Sequence, residues 1–333
     1  MTALRSSLMA GAALAACFAA PAFAQERSVD IPAIEGVVAG EAEWSRVWQG
    51  PETADGAIAG PDGGLLFAQE QTSTVIRLAP DGTATTAIWY TNNAGSLAGD
   101  ASGRIYAAER TCTDPGLPGR EDCIIPTRIV QLSPQREPIA DKFADGRSLG
   151  RLNDLVVAGN GSVFFTVGGA YHAAPDGTVS TVVEGEGVRT NGIMLSPDER
   201  VLYVTNGAEV LAFDVGLDGE TSGQRVFATL DEGDSGDGMA VDSDGRLYVT
   251  GVGLGTSIYV FDDTGARLGV IPTPRQPVSI AFAGADREWL YLTAMGATDA
   301  DGGEHSVPEG ARNTGMSVYR APMLATGFAG RAK

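Results

Sequence analysis

Asp237-Gly238-Met239-Ala240-Val241-Asp242-Ser243-Asp244-Gly245-Arg246-Leu247-Tyr248-Val249 sets a polar residue, an apolar run, a Gly-containing turn and an aromatic-centred triplet in one order. The triplet recurs as Leu66-Phe67-Ala68, Ile105-Tyr106-Ala107, Val163-Phe164-Phe165, Leu202-Tyr203-Val204 and Leu290-Tyr291-Leu292. Successive central aromatics lie 39, 58, 39, 45 and 43 residues apart. A repeat of about 40 to 50 residues built from short strands marks propeller blades, small sheets that bury their faces only against one another. Four of the six triplets follow a Gly turn, at Pro61-Asp62-Gly63-Gly64, Ser102-Gly103, Asn160-Gly161 and Asp244-Gly245, as expected of hairpins. The reading is all-β, a six-bladed β-propeller. A radial repeat absorbs residues 25–333 into one body, and 45 Gly with 17 Pro agree with many turns and little helix.

The first residues read differently. Arg5 precedes an apolar stretch from Leu8 to Ala20, and Ala22-Phe23-Ala24 puts small residues where a signal peptidase reads them. Residues 1–24 are therefore expected to be a signal peptide, and the mature protein periplasmic or secreted. The stretch falls short of the ~20 residues of a spanning helix. Leu14-Ala15-Ala16-Cys17 also reads as a lipoprotein box, and a lipid on Cys17 is the one route to a membrane that this reading offers. Cleavage after Ala24 leaves Cys112 and Cys123 as the only thiols, and export favours a disulfide between them. That bridge would pin a loop inserted into the second repeat, contributing ~3 kcal/mol, and the insertion accounts for the long second spacing. The net charge of −19, or −20 once Arg5 is gone, excludes nucleic acid and anionic membranes as partners.

Residues 25–50, with Trp44, Val47 and Trp48, form a lead-in expected to lend a strand to the last blade, which otherwise keeps an open edge. Blade one then runs from Asp55 to Leu78, blade two from Gly95 to Leu132, blade three from Asn153 to Val183, and blade four from Asn191 to Leu230. Blade five runs from Asp237 to Ile271, and blade six from Val278 to Met323. Residues 298–315 read as an inserted surface loop. Asp299-Ala300-Asp301-Gly302 resembles a calcium loop, but Gly310 stands where that motif needs Glu, so it reads as a solvated turn.

Counting back from the central aromatics, Asp55 lies 12 residues before Phe67, Asn153 lies 11 before Phe164, Asn191 lies 12 before Tyr203 and Asp237 lies 11 before Tyr248. Equivalent positions at the start of each innermost strand form a ring at one mouth of the central channel. Two carboxylates confined there repel unless a cation or proton lies between them. Two carboxylates and two amides are hard oxygen donors, suiting one divalent metal ion, calcium first, with magnesium or manganese next and zinc or ferrous iron as further candidates. Taken singly, Asp55-Gly56, Asn191-Gly192 and Asp237-Gly238 are also ordinary turn dipeptides. His172 and His305 are the only imidazoles and neither is on the ring, which excludes a histidine metal cluster. Glu70, Glu109 and Arg110 follow blade strands at matching points, and the sequence does not say whether they line the channel or face away.

Along essentially the whole mature chain the sequence resembles the senescence-marker-protein/gluconolactonase family of six-bladed propellers. The matching runs are Arg151-Leu152-Asn153-Asp154-Leu155-Val156-Val157, Asn191-Gly192-Ile193-Met194-Leu195-Ser196-Pro197-Asp198 and Asp237-Gly238-Met239-Ala240-Val241-Asp242. The resemblance implies a divalent metal on Asp55, Asn191 and Asp237, with Asn153 close enough to join directly or through water. It implies Asp237 as general base, and Arg151 and Asn153 as substrate contacts. Asp55 stands where the family has Glu, one methylene longer, and Thr166-Val167-Gly168-Gly169 lacks the Asp relatives place after the Phe-Thr pair, so the substrate mouth differs.

The activity this implies is opening of a small-molecule lactone, a sugar lactone first. Phosphotriester hydrolysis at the same metal and a non-catalytic binding propeller with a structural calcium are the alternatives. No Gly-x-Ser-x-Gly elbow, phosphate-cradling Gly-rich loop or Cys-x-x-Cys competes with this site.

Overall fold

The computed structural model describes residues 26–111, 125–309 and 311–331. Cys17, Cys112, Cys123, Gly310 and the signal-peptide segment lie outside the described residues. Among those described, the named regular elements are all strands, grouped in six four-stranded antiparallel sheets. The first strands of blades one to six are Asp55–Ala59, Ala94–Gly99, Leu155–Val157, Thr190–Leu195, Asp234–Val241 and Pro277–Ala283. Each contacts the first strand of the next blade, and that of blade six returns to blade one, so these strands close a ring around the axis.

The aromatic triplets fall on the second strands, and their central rings, Phe67, Tyr106, Phe164, Tyr203, Tyr248 and Tyr291, are all buried. Two of the hairpins leading into them share one device. Asp100 and Asp242 each accept bonds from backbone N–H groups of the Gly turn that follows, pair with Arg104 or Arg246, and accept from the hydroxyl of Tyr106 or Tyr248. One carboxylate thereby fixes the turn and the strand beyond it, a local pattern set by the Asp-x-x-Gly-Arg-x-Tyr spacing.

The lead-in closes the last blade as expected. Ser45–Gly50 pairs antiparallel with Met316–Pro322, with Trp48 opposite Val318, and Trp48 packs its ring against Phe67 of blade one. Blades one and two extend further than the sequence reading had them: Ala84–Trp89 and Glu137–Ala140 add outer strands to each. These edges are mostly exposed or half-buried and carry little apolar signal.

At the end of the channel away from the ring the C-terminal segment crosses the blades. Gly327 bridges Asp242 of blade five, Gly327 N–H donates to Arg287 O of blade six (2.9 Å), and Arg331 donates to Leu195 O (2.7 Å) and Ser196 O (2.8 Å) of blade four.

Candidate metal and active site

The ring residues are aimed inward by bulges. Register slips occur between Asp55 and Ile58, between Thr190 and Ile193 around Asn191, and between Gly236 and Met239 around Asp237. An extra residue at the start of an innermost strand turns side chains off the pleat and into the channel. Asn153 instead precedes its short strand, held by its N–H to Thr166 O (2.8 Å). Asp55, Asn153, Asn191 and Asp237 line one small cavity of about 10 Å³ on the axis, with Ser96, Asp154 and Ser279.

The glycines beside them are not turn residues. A Cβ on Gly56 would lie 2.3 Å from Ser96 Cα of blade two, one on Gly192 2.0 Å from Asp237 O of blade five, and one on Gly238 2.7 Å from Val278 O of blade six. They are where neighbouring inner strands touch. Blade three has Asp154 at this position, and its buried carboxylate accepts from Ser96 Oγ (2.6 Å) and Ile193 N (3.1 Å), joining blades two, three and four. The dipeptides that read singly as turns are thus inter-blade contacts that set the spacing of the ring.

Arg110 and Glu70 join the site, while Glu109 turns the other way to Asn92, Arg128 and Arg136, as alternation along a strand requires. Arg110 is almost wholly buried: its Nε donates to Leu152 O (2.8 Å), one terminal nitrogen to Asn153 O (2.9 Å) and Oδ1 (3.3 Å), and the other to Glu70 Oε2 (3.0 Å), lying 3.6 Å from Asp55 Oδ2. Glu70, 3% exposed, also takes Arg151 by a two-pronged contact of 2.7 and 3.0 Å. Arg151 keeps 32% of its side chain exposed. Asn153 Nδ2 donates to Asn191 Oδ1 (2.6 Å), so Asn153 turns its oxygen to Arg110 and its nitrogen into the ring.

Electrostatics follow from this packing. Burial pushes the Asp55 carboxyl above its usual range, with Arg110 only partly offsetting it, although 26% of the side chain still reaches solvent through the channel mouth. Burial works against the Arg110 charge, yet Asp55 and Glu70 outweigh it and hold the guanidinium protonated. A buried carboxyl at the edge of a cavity lined by hard oxygen donors fits a small divalent cation. Among the described residues no three His, Cys, Asp or Glu side chains group as metal ligands, and with Asn153 presenting its nitrogen to the ring the side-chain oxygens of the four expected ligands left for a cation are those of Asp55, Asn191 and Asp237.

Of the residues the sequence reading brought together, Asp55, Asn153, Asn191 and Asp237 line one cavity, while Arg151 stands outside its lining and connects to it through Glu70 and Arg110. The sequence reading left Glu70 and Arg110 unplaced, because position after a strand does not fix which face a side chain takes. Gly95, an unusually bare residue at blade two's ring position, was the available signal.

Comparison with known proteins agrees with the architecture. A pentonolactonase of Haloferax volcanii is 28% identical over 240 residues, 63% of this chain and 81% of the relative. A gluconolactonase of Zymomonas mobilis is 27% identical over 197 residues, half of this chain and 54% of that protein. The solved structure of a gluconolactonase from Xanthomonas campestris superposes with a TM-score of 0.68 at 22% identity, covering 90% of this chain and 97% of that one. The model of the SMP-30/gluconolactonase/LRE-like region matches residues 62–296, spanning every site residue except Asp55, and the chain belongs to that family.

Proposed function

We propose that this protein hydrolyses a lactone, a sugar-derived one first, at a divalent metal ion held by Asp55, Asn191 and Asp237 with Asn153 beside them. The observation that carries the reading is the convergence of the Asp55 and Asp237 carboxylates and the Asn191 amide oxygen on one axial cavity, with a part-exposed Arg151 nearby. Asn153, expected from the sequence as a further ligand, instead presents its nitrogen to Asn191. The lactonase class rests on the family and on the lactonases among its relatives. Calcium is the first choice of metal because the donors are all hard oxygens.

A bound metal would polarise the ester carbonyl and acidify a water. Asp237 accepts the proton of the attacking water, and its place on the bulged inner strand keeps that carboxylate at the axis. Arg151 and Asn153 hold substrate oxygens at the mouth, Arg151 with its guanidinium plane fixed by Glu70. The Ser-His contact of Ser180 Oγ with His172 Nδ1 (3.5 Å) lies between the outer strands of blade three, where His172 stacks on Phe164, and neither residue lines the axial cavity; His305 pairs with Asp299 on the blade-six loop. We propose the same protein is exported, on the strength of residues 1–24.

The test is proton release from a lactone panel by metal-stripped protein before and after adding calcium, magnesium, manganese, zinc or ferrous iron. Metal-dependent opening of a sugar lactone is expected. Turnover of phosphotriesters alone, or a melting temperature that rises with metal in a protein without turnover, overturns the reading.

A further inference from the structure

Blade two places no side chain at the ring position equivalent to Asp55, although Ser96 beside it lines the cavity, and the reason is steric. Its residue at the bulge between Ala94 and Ser96 is Gly95, and a Cβ there would lie 2.0 Å from both Cζ and a terminal nitrogen of Arg110 and 2.2 Å from its Nε. Gly95 does not have a left-handed backbone. The three nearest atoms to that Cβ all belong to the Arg110 guanidinium, which fills the space where blade two's ring residue would stand.

We infer that Arg110 is a positioning residue that completes the ring, fixing Asn153 and Asp55 and, through Glu70, aiming Arg151 at the substrate. The inference rests on the lactonase reading above. Arg110 bonds both the backbone and side-chain oxygens of Asn153 and neighbours Asp55, and its contact with Glu70 leaves the carboxylate shared between two guanidinium groups. A guanidinium fork fixes a planar partner in orientation as well as distance, which a lysine cannot do. Holding Glu70 from behind therefore fixes the plane of Arg151, which keeps 32% of its side chain exposed. Because Arg110 is saturated by protein and buried at its full length, it touches no substrate itself.

Gly95→Ala tests this without altering any polar group. At saturating calcium, Gly95→Ala and Arg110→Lys should each raise KM for the hydrolysed lactone at least about tenfold while kcat stays within about threefold, since Arg151 and Asn153 bind ground and transition states alike and Asp237 is untouched. Gly95→Ala/Arg110→Ala should be no worse than Arg110→Ala, because the new methyl enters the space the guanidinium vacates. That non-additivity should also appear in the melting temperatures of the metal-free proteins, and if Gly95→Ala alone does not fold, recovery of a folded protein in Gly95→Ala/Arg110→Ala is the expected result and its failure where Arg110→Ala folds overturns the inference. Wild-type KM in Gly95→Ala, or effects of the two substitutions that multiply, overturns the inference. A wild type that opens no lactone overturns the lactonase reading and this inference with it, whereas an active wild type with unaffected variants overturns the inference alone.

Discussion

Gly192→Ala is the sharpest probe of how blade packing sets the active-site geometry. The new Cβ would start 2.0 Å from Asp237 O and must reach 3.4 Å for ordinary contact, a retreat of about 1.4 Å by one inner strand against its neighbour. Neither side yields easily, because Gly192 N–H is bonded to Thr205 Oγ1 (2.7 Å) and the opposing atom is backbone. Overpacking of this kind costs about 3 kcal/mol, which in a chain of this size lowers the melting temperature by about 5 °C. The catalytic cost should be larger, since Asn191 and Asp237 flank the contact and a displacement of about 1 Å at reacting groups costs about a hundredfold in rate. Thermal melts and lactone hydrolysis read the two effects. Gly103→Ala is the control: its backbone is left-handed (φ +82°), nothing lies within 4 Å of its Cβ, and it should lose about 1 kcal/mol with no change in turnover. A Gly192→Ala enzyme with wild-type rate and melting temperature would refute the claim that this glycine sets the distance between ring ligands.

Asp237→Asn should keep the fold and lose about 10²- to 10⁴-fold in kcat, checked by steady-state kinetics; the original rate would remove Asp237 as the base. Asp100 gives a pH dependence. Burial alone would raise its carboxyl, but the bonds from Ser102 and Arg104 outweigh this and leave it below the usual range. Its contribution to stability is therefore complete above the unfolded value of about 4 and is lost as pH falls through the lower folded value, so Asp100→Asn should flatten the acid limb of a stability–pH curve. Arg331→Ala removes the donors to Leu195 O and Ser196 O and should cost about 2 to 3 kcal/mol in denaturant unfolding while leaving KM unchanged, because the far end of the channel is distant from the ring.

Much of this was legible in the chain because a repeat makes each blade a control for the others. Asp55 alone is a turn residue; at the same offset as Asn153, Asn191 and Asp237 it becomes part of a ring. The inner and second strands carried strong apolar signals, whereas Ala84–Trp89 and Glu137–Ala140 are exposed or half-buried for most of their length and carry little. Arg110 escaped because facing is decided by register, and Glu109 and Arg110 differ by one residue and point to opposite sides. The packing role of the glycines was not legible, since an inter-blade contact leaves the same Asp-Gly or Asn-Gly signature as a turn. Arg331 could not be found from pattern at all, as its partners are main-chain carbonyls that any sequence provides.

The pairing of Trp48 with Val318 joins the first strand to the last. Until both have been made and brought together, Met316–Pro322 is an open edge able to template association with another chain. Closure over so long a span is entropically expensive and slow. A polypeptide lacking either strand cannot complete the four-stranded sixth blade, so the integrity of the ring depends on both ends of the fold at once.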